Sequence, residues 1–177
     1  AAGARTLFFT WQNLLRAYPW PFSKLEQASY RLADCAVAGN EDAADVLRQK
    51  GYAGPIHVIP QFGVEPAAAQ AHPATPAEPG TLRVGYAGRL VPEKGVTLLL
   101  DALAGISSPW RCLIAGNGPL QPQLEARAKA LGLGERVQFL GRVPSGEMPA
   151  FFRQIDVLVL PSLSRPNWTE QFGRVLV

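Results

Sequence analysis

The sequence predicts an α/β protein made of two open, parallel-sheet regions joined by a linker. Three observations lead there. Short apolar runs with β-branched and aromatic members alternate with segments of helical periodicity, as strand–helix–strand units do. The alternation stops once, at an Ala/Pro-rich stretch over residues 63–80, and then resumes. Beyond it, glycine-containing turns follow the strands and carry cationic side chains. A hydrophobic fraction of 47% and a charged fraction of 18% belong to a globular chain.

The first region is read from three strands and two helices. Thr6–Trp11 has the residue types of a strand, followed by Gln12, Asn13 and the proline-broken segment Tyr18-Pro19-Trp20-Pro21-Phe22. Ser23 is placed as the cap of a helix to about Ala33, with Leu25, Ala28, Ser29 and Leu32 along one side. Asp34–Gly39 is a second strand. Asn40 then caps a helix with Glu41 and Asp42 in its first turn, and Lys50-Gly51 ends it. Ile56–Ile59 is a third strand, closed by Pro60. Residues 1–62 therefore form one region, and 63–80 a semi-extended linker without periodicity.

The second region, residues 81–177, carries four strands separated by three helices. The strands are Leu82–Ala87, Trp110–Ala115, Val137–Leu140 and Asp156–Leu160. The helices are Gly95–Gly105, the segment after Gly116-Asn117-Gly118-Pro119 as far as Leu131, and Gly146–Gln154 behind Ser145 as cap. Leu98, Leu99, Ala102 and Leu103 are taken as the apolar face of the first. Pro149 fits poorly inside the third. Such an order implies a parallel, doubly wound sheet, whose ligands lie beyond the carboxyl ends of the strands. Arg89, Asn117, Arg142 and the loop from Pro161 to Glu170 all fall there.

Two cations, Arg89 and Lys94, bracket the turn between the first strand and first helix of this region, where a helix N-terminus already favours negative charge. That combination suits a phosphate or diphosphate. Residues 81–177 hold 11 Lys/Arg and 7 Asp/Glu, an excess that fits a small anionic ligand and is too thin for a nucleic-acid surface. No Asp-x-Asp and no His/Cys/Asp cluster with ligand spacing is present, so no metal and no cofactor is expected. Cys35 and Cys112 lie in separate apolar runs and read as reduced core thiols of a cytosolic protein. His57 and His72 read as strand and linker residues. Asn167-Trp168-Thr169 matches a glycosylation sequon by chance. No apolar run is long enough to span a membrane. The chain starts without Met and inside an alternating pattern, and both ends are expected to be cut.

Five segments occur in order: G-R-L-V-P-E-K-G at 88–95, A-G-N-G-P at 115–119, F-L-G-R-V-P at 139–144, D-V-L-V-L-P-S at 156–162 and E-Q-F-G-R-V-L-V at 170–177. Together they resemble the nucleotide-sugar domain of glycosyltransferase family 4, a retaining family of GT-B architecture. Residues 5–65 resemble, more loosely, the last third of its N-terminal domain. The resemblance implies two Rossmann-like domains, both incomplete in this chain. It implies that Arg89 and Lys94 hold the donor diphosphate and stabilise the charge that develops on it, with Gly88 and Asn117 beside them. Backbone around Arg142 and Val143 would meet the base, and Glu170 the sugar hydroxyls. The N–H groups of Gln171, Phe172 and Gly173 would face sugar and phosphates. The family's second carboxylate, on the ribose, is expected at the position after Val177.

The implied partners are a nucleotide-diphosphate sugar and a carbohydrate or lipid-linked acceptor, the latter at the cytoplasmic membrane face. Two other readings share the architecture: a sugar-nucleotide epimerase or phosphorylase, and a non-catalytic nucleotide-sugar-binding module. Several residues carry plain alternatives. Gly116-Asn117-Gly118 is required sterically for a turn before a helix whether or not a ligand is present. Glu170 also suits a solvated helix start. Trp11, Gln12 and Asn13 either line an acceptor path or simply pack.

Overall fold

The structure is a computed structural model that describes residues 3–60 and 79–170. The greater part of the 63–80 linker, and Gln171, Phe172 and Gly173, lie outside the described residues. The chain divides into two compact units. Among the described residues, 3–60 with 166–170 make one and 79–165 the other.

In the first unit, β1 (Leu7–Thr10), β2 (Cys35–Ala38) and β3 (Ile56–Val58) form a parallel sheet in the order β1-β2-β3. Between them run α1 (Phe22–Leu32) and α2 (Glu41–Gln49). Helix α2 starts as its sequence dictates. Asn40 is extended, and its side-chain oxygen accepts from the Ala43 N–H at 2.8 Å. Ala36, Leu47 and Tyr52 are the buried centre, and the Phe8 and Tyr30 rings close around Tyr52.

Helix α1 differs from expectation. It begins two residues earlier, after Pro21, no side chain caps it, and it buries no residue. Ser23 therefore lies inside the helix rather than at its cap. Glu26 and Tyr30 face inward, where the Glu26 carboxylate takes Lys50 Nζ at 2.6 Å and the Tyr30 hydroxyl at 3.0 Å.

The second unit contains β4 (Leu82–Ala87), β5 (Trp110–Ala115), β6 (Val137–Gly141) and β7 (Val157–Leu158), all parallel, in the order β6-β5-β4-β7. Its helices are α3 (Val96–Ala104), α4 (Gln121–Ala130) and α5 (Met148–Phe152). Alternate residues serve opposite faces, as a pleated strand requires. Val84 and Tyr86 of β4 and Cys112 and Ile114 of β5 pack under α3 and α4 with Leu99, Leu103, Leu124 and Ala128. Ala87, Leu113 and Ala115 turn the other way, to Phe151 and Ile155. Helices thus cover both faces, which is the doubly wound arrangement.

Three local expectations need correction. The buried face of α3 is Val96, Leu99, Leu100 and Leu103, while Leu98 is 52% exposed. Ser145 caps nothing by its side chain: residues 145–147 make a 3-10 turn and α5 starts at Met148, with Pro149 in its first turn, where a missing N–H is harmless. The last strand is two residues long, not five.

Burial pushes the Cys112 thiol up to about 12, as expected of an inert core residue. Among the described residues no helix is long and apolar enough to cross a membrane.

Candidate functional site: the carboxyl edge of the second sheet

From β4 the chain moves to β5 and β6 on one side and then returns to place β7 on the other. The strand order reverses between β4 and β7, and a crevice opens at the carboxyl ends of strands flanking such a point. The turn after β4 carries Gly88, Arg89 and Leu90. The segment after β7 passes through Pro161 to Leu163.

These two loops are in close contact. The Leu163 N–H donates to the Glu93 carbonyl at 2.8 Å. A β-carbon on Gly95 would lie 2.0 Å from the Pro161 oxygen, so only glycine fits there, and its φ of 66° asks for glycine as well. Pro92–Lys94 winds as a 3-10 turn into Gly95. Helix α3 then begins with no side chain capping its first N–H groups. Lys94 is half-buried in that turn.

On the other side of β4 the sheet's hydrogen bonding continues past the strands. Gly88 N–H donates to the Ala115 carbonyl at 2.9 Å, Leu90 N–H to that of Asn117 at 2.9 Å, and Gly116 N–H to that of Gly141 at 2.7 Å. The loops after β4, β5 and β6 therefore lie side by side. Gly116 and Gly118 permit this: β-carbons there would stand 1.8 Å from the Gly88 oxygen and 2.3 Å from the Leu90 oxygen. The steric reading of this glycine pair is thereby sufficient by itself.

Along this edge Arg89, Asn117 and Arg142 are exposed. Among the described residues none of the three has a side-chain hydrogen bond or ion pair. Their donors are available to an anionic or polar ligand. Leu90, by contrast, is fully buried and anchors the turn from which Arg89 projects. The Val143 side chain packs toward Phe151 and Ile155, leaving its backbone at the edge.

Glu170 is half-buried and groups with residues 3–60, where the sequence had put it in the second domain. In the same unit, Trp11 lies against Gly39 and stacks edge-on with Phe9 at 5.3 Å. The Asn13 side-chain nitrogen, two residues further on, is buried without a hydrogen-bond partner.

One element of the site had no counterpart in the sequence reading. The Tyr86 hydroxyl donates to the Arg89 carbonyl at 2.9 Å. In the sequence Tyr86 is a strand residue with no other mark. The available signal was its phenol: a buried tyrosine needs a partner for its hydroxyl.

Comparisons with known proteins agree with this architecture. The family described as glycosyl transferases group 1 matches residues 69–177. The 2-deoxystreptamine glucosyltransferase of Streptomyces kanamyceticus is 34% identical over 121 residues, covering 61% of this chain and 31% of that protein. The D-rhamnosyltransferase WbpZ of Pseudomonas aeruginosa is 45% identical over 80 residues, covering 45% and 19%. Among solved structures, Anabaena HepE in complex with UDP and glucose superposes with a TM-score of 0.68 at 22% identity, covering 97% of this chain and 49% of that one. The chain thus spans half or less of the proteins it matches. The fold is that of the GT-B glycosyltransferases. With its residues 69–177 inside the family and its sheets wound in this way, the chain belongs to the glycosyl transferases of group 1.

Proposed function

We propose that the full-length protein transfers a glycosyl group from a nucleotide-diphosphate sugar to an acceptor, with retention at the anomeric carbon, as a family 4 type enzyme. The observation that carries this is the pair of cations in the loop after β4: Arg89 on an anchored turn, its guanidinium unengaged among the described residues, and Lys94 at the end of the 3-10 turn that follows. Departure of the sugar leaves a nucleoside diphosphate that gains negative charge. Fixed cations stabilise that charge most where it appears, which lowers the barrier rather than merely tightening binding.

In this reading the uncapped start of α3 adds partial positive charge at the same place. Backbone at Arg142 and Val143 meets the base, and Asn117 lies between. Glu170 and the N–H groups of Gln171, Phe172 and Gly173 are assigned to the sugar and phosphates by their motif alone. The acceptor is a carbohydrate or a lipid-linked glycan. The donor class is supported by the UDP bound in HepE.

The test is kinetic. In the full-length protein, Arg89→Ala or Lys94→Ala is expected to lower turnover at saturating donor on the order of a hundredfold, with little change in melting temperature. A loss of only a fewfold from both would overturn the diphosphate assignment. The anomeric coupling of the product, read by NMR, tests retention. Binding of donor without any transfer or hydrolysis would favour a non-catalytic module.

A further inference from the structure

We propose that Tyr86 is a positioning residue for this site, whose hydroxyl aims Arg89 at the donor. The inference rests on the proposed role of Arg89 and adds a residue that acts through it. Tyr86 is 1% exposed in β4 and sits on the face covered by α3 and α4. Its hydroxyl reaches beyond the end of the strand and donates to the Arg89 carbonyl at 2.9 Å. The chain wraps over the tip of the ring to make that bond. A β-carbon on Gly88 would be 2.8 Å from the phenolic oxygen and 3.2 Å from Cζ, so the turn needs glycine where it passes the phenol.

The consequence for Arg89 follows from counting its constraints. The preceding residue is tied by Gly88 N–H to the Ala115 carbonyl. The following residue, Leu90, is fully buried, donates to Asn117 and accepts from the Leu120 N–H at 3.1 Å. The Arg89 carbonyl between them is held by the tyrosine. Gly88 is thus held on one side, and the peptide from 89 to 90 is held at both its N–H and its carbonyl, which restricts the Cα–Cβ direction of Arg89. Remove the hydroxyl and the peptide from 89 to 90 keeps the Leu90 N–H bond to Asn117 but loses the partner of its carbonyl, so it can rock about the remaining bond. An exposed guanidinium six bonds from that peptide then spends less time where charge develops, and orientation is worth large rate factors.

A hydroxyl that merely satisfied its own burial would affect stability alone, so the two roles separate experimentally. The full-length protein is compared with Tyr86→Phe, Arg89→Ala, the double variant, and Val137→Ala as a core control at the opposite end of the sheet. Tyr86→Phe is expected to lower the melting temperature by about 2–4 °C. Its turnover at saturating donor should fall on the order of tenfold. In the Arg89→Ala background the same change should cost nothing further, because there is no guanidinium left to aim.

Tyr86→Phe that behaves like Val137→Ala, less stable but equally fast, overturns the proposal. So does an equal fold loss with and without Arg89. An unaltered full-length protein that transfers nothing overturns the functional reading itself, and that outcome is distinct from normal transfer by Tyr86→Phe.

Discussion

A β-carbon at position 116 would stand 1.8 Å from the Gly88 carbonyl oxygen, and the φ of 134° at that residue lies where L side chains are rarely found. Gly116→Ala therefore meets two costs together: backbone strain of roughly 1–3 kcal/mol, and a collision relieved only by parting the loops after β4 and β5. Gly132 isolates the first cost. Its φ is 71°, and nothing lies within 4 Å of an added β-carbon. In urea unfolding, Gly132→Ala should lose about 1–2 kcal/mol and Gly116→Ala clearly more. Equal losses would show that the close approach of the two loops contributes nothing. At this scale the sequence left Gly116-Asn117-Gly118 open between a ligand turn and a steric one. The steric need is decided by an oxygen 28 positions earlier in the chain, which no local pattern contains.

Among the elements, β7 is the most economical: two residues pair with Val84 and Gly85, yet its position beside β4 sets the point where the strand order reverses. Its entry is clamped by Asp156. The Arg83 guanidinium donates to both carboxylate oxygens, at 2.6 Å to one of them, and the Arg83 backbone N–H donates at 2.9 Å. The Arg83 side chain, then its N–H, hold the Asp156 carboxyl below its ordinary value. A carboxyl depressed in the folded state contributes stability above the ordinary carboxylate range, and that contribution is lost as pH falls through it. The melting temperature of the unaltered protein should thus fall more steeply between about pH 5 and 3 than that of Asp156→Asn. Parallel slopes would show that the clamp is not coupled to folding. Element legibility followed contrast in the sequence. Helix α2, with a capping Asn and two acids before an apolar face, was read correctly end to end. Helix α3 was assigned the wrong face, because Val96, Leu98, Leu99 and Leu100 are apolar nearly all round and periodicity cannot choose among them.

For the molecule as a whole, the charge to be stabilised and the groups available to do it lead to one more expectation. The sequence has no Asp-x-Asp, and among the described residues no three His, Cys, Asp or Glu side chains gather as a metal site. Arg89, Lys94 and the start of α3 would then carry the work that a divalent ion does in other transferases. Transfer by the full-length protein is expected to survive EDTA. Activity abolished by chelator and restored only by added magnesium or manganese would overturn this. The sequence by itself determined the order and type of nearly every element described and the motifs of the family, because strand alternation, helix caps and glycine turns are set by neighbours along the chain. Only the tertiary structure decided that β7 returns to the far side of β4, that the glycine turns lock three loops edge to edge, and that a strand tyrosine holds the carbonyl of Arg89. Those depend on which surfaces bury each other across tens of residues, where the packing energy of the whole sheet, and no local preference, selects the partner.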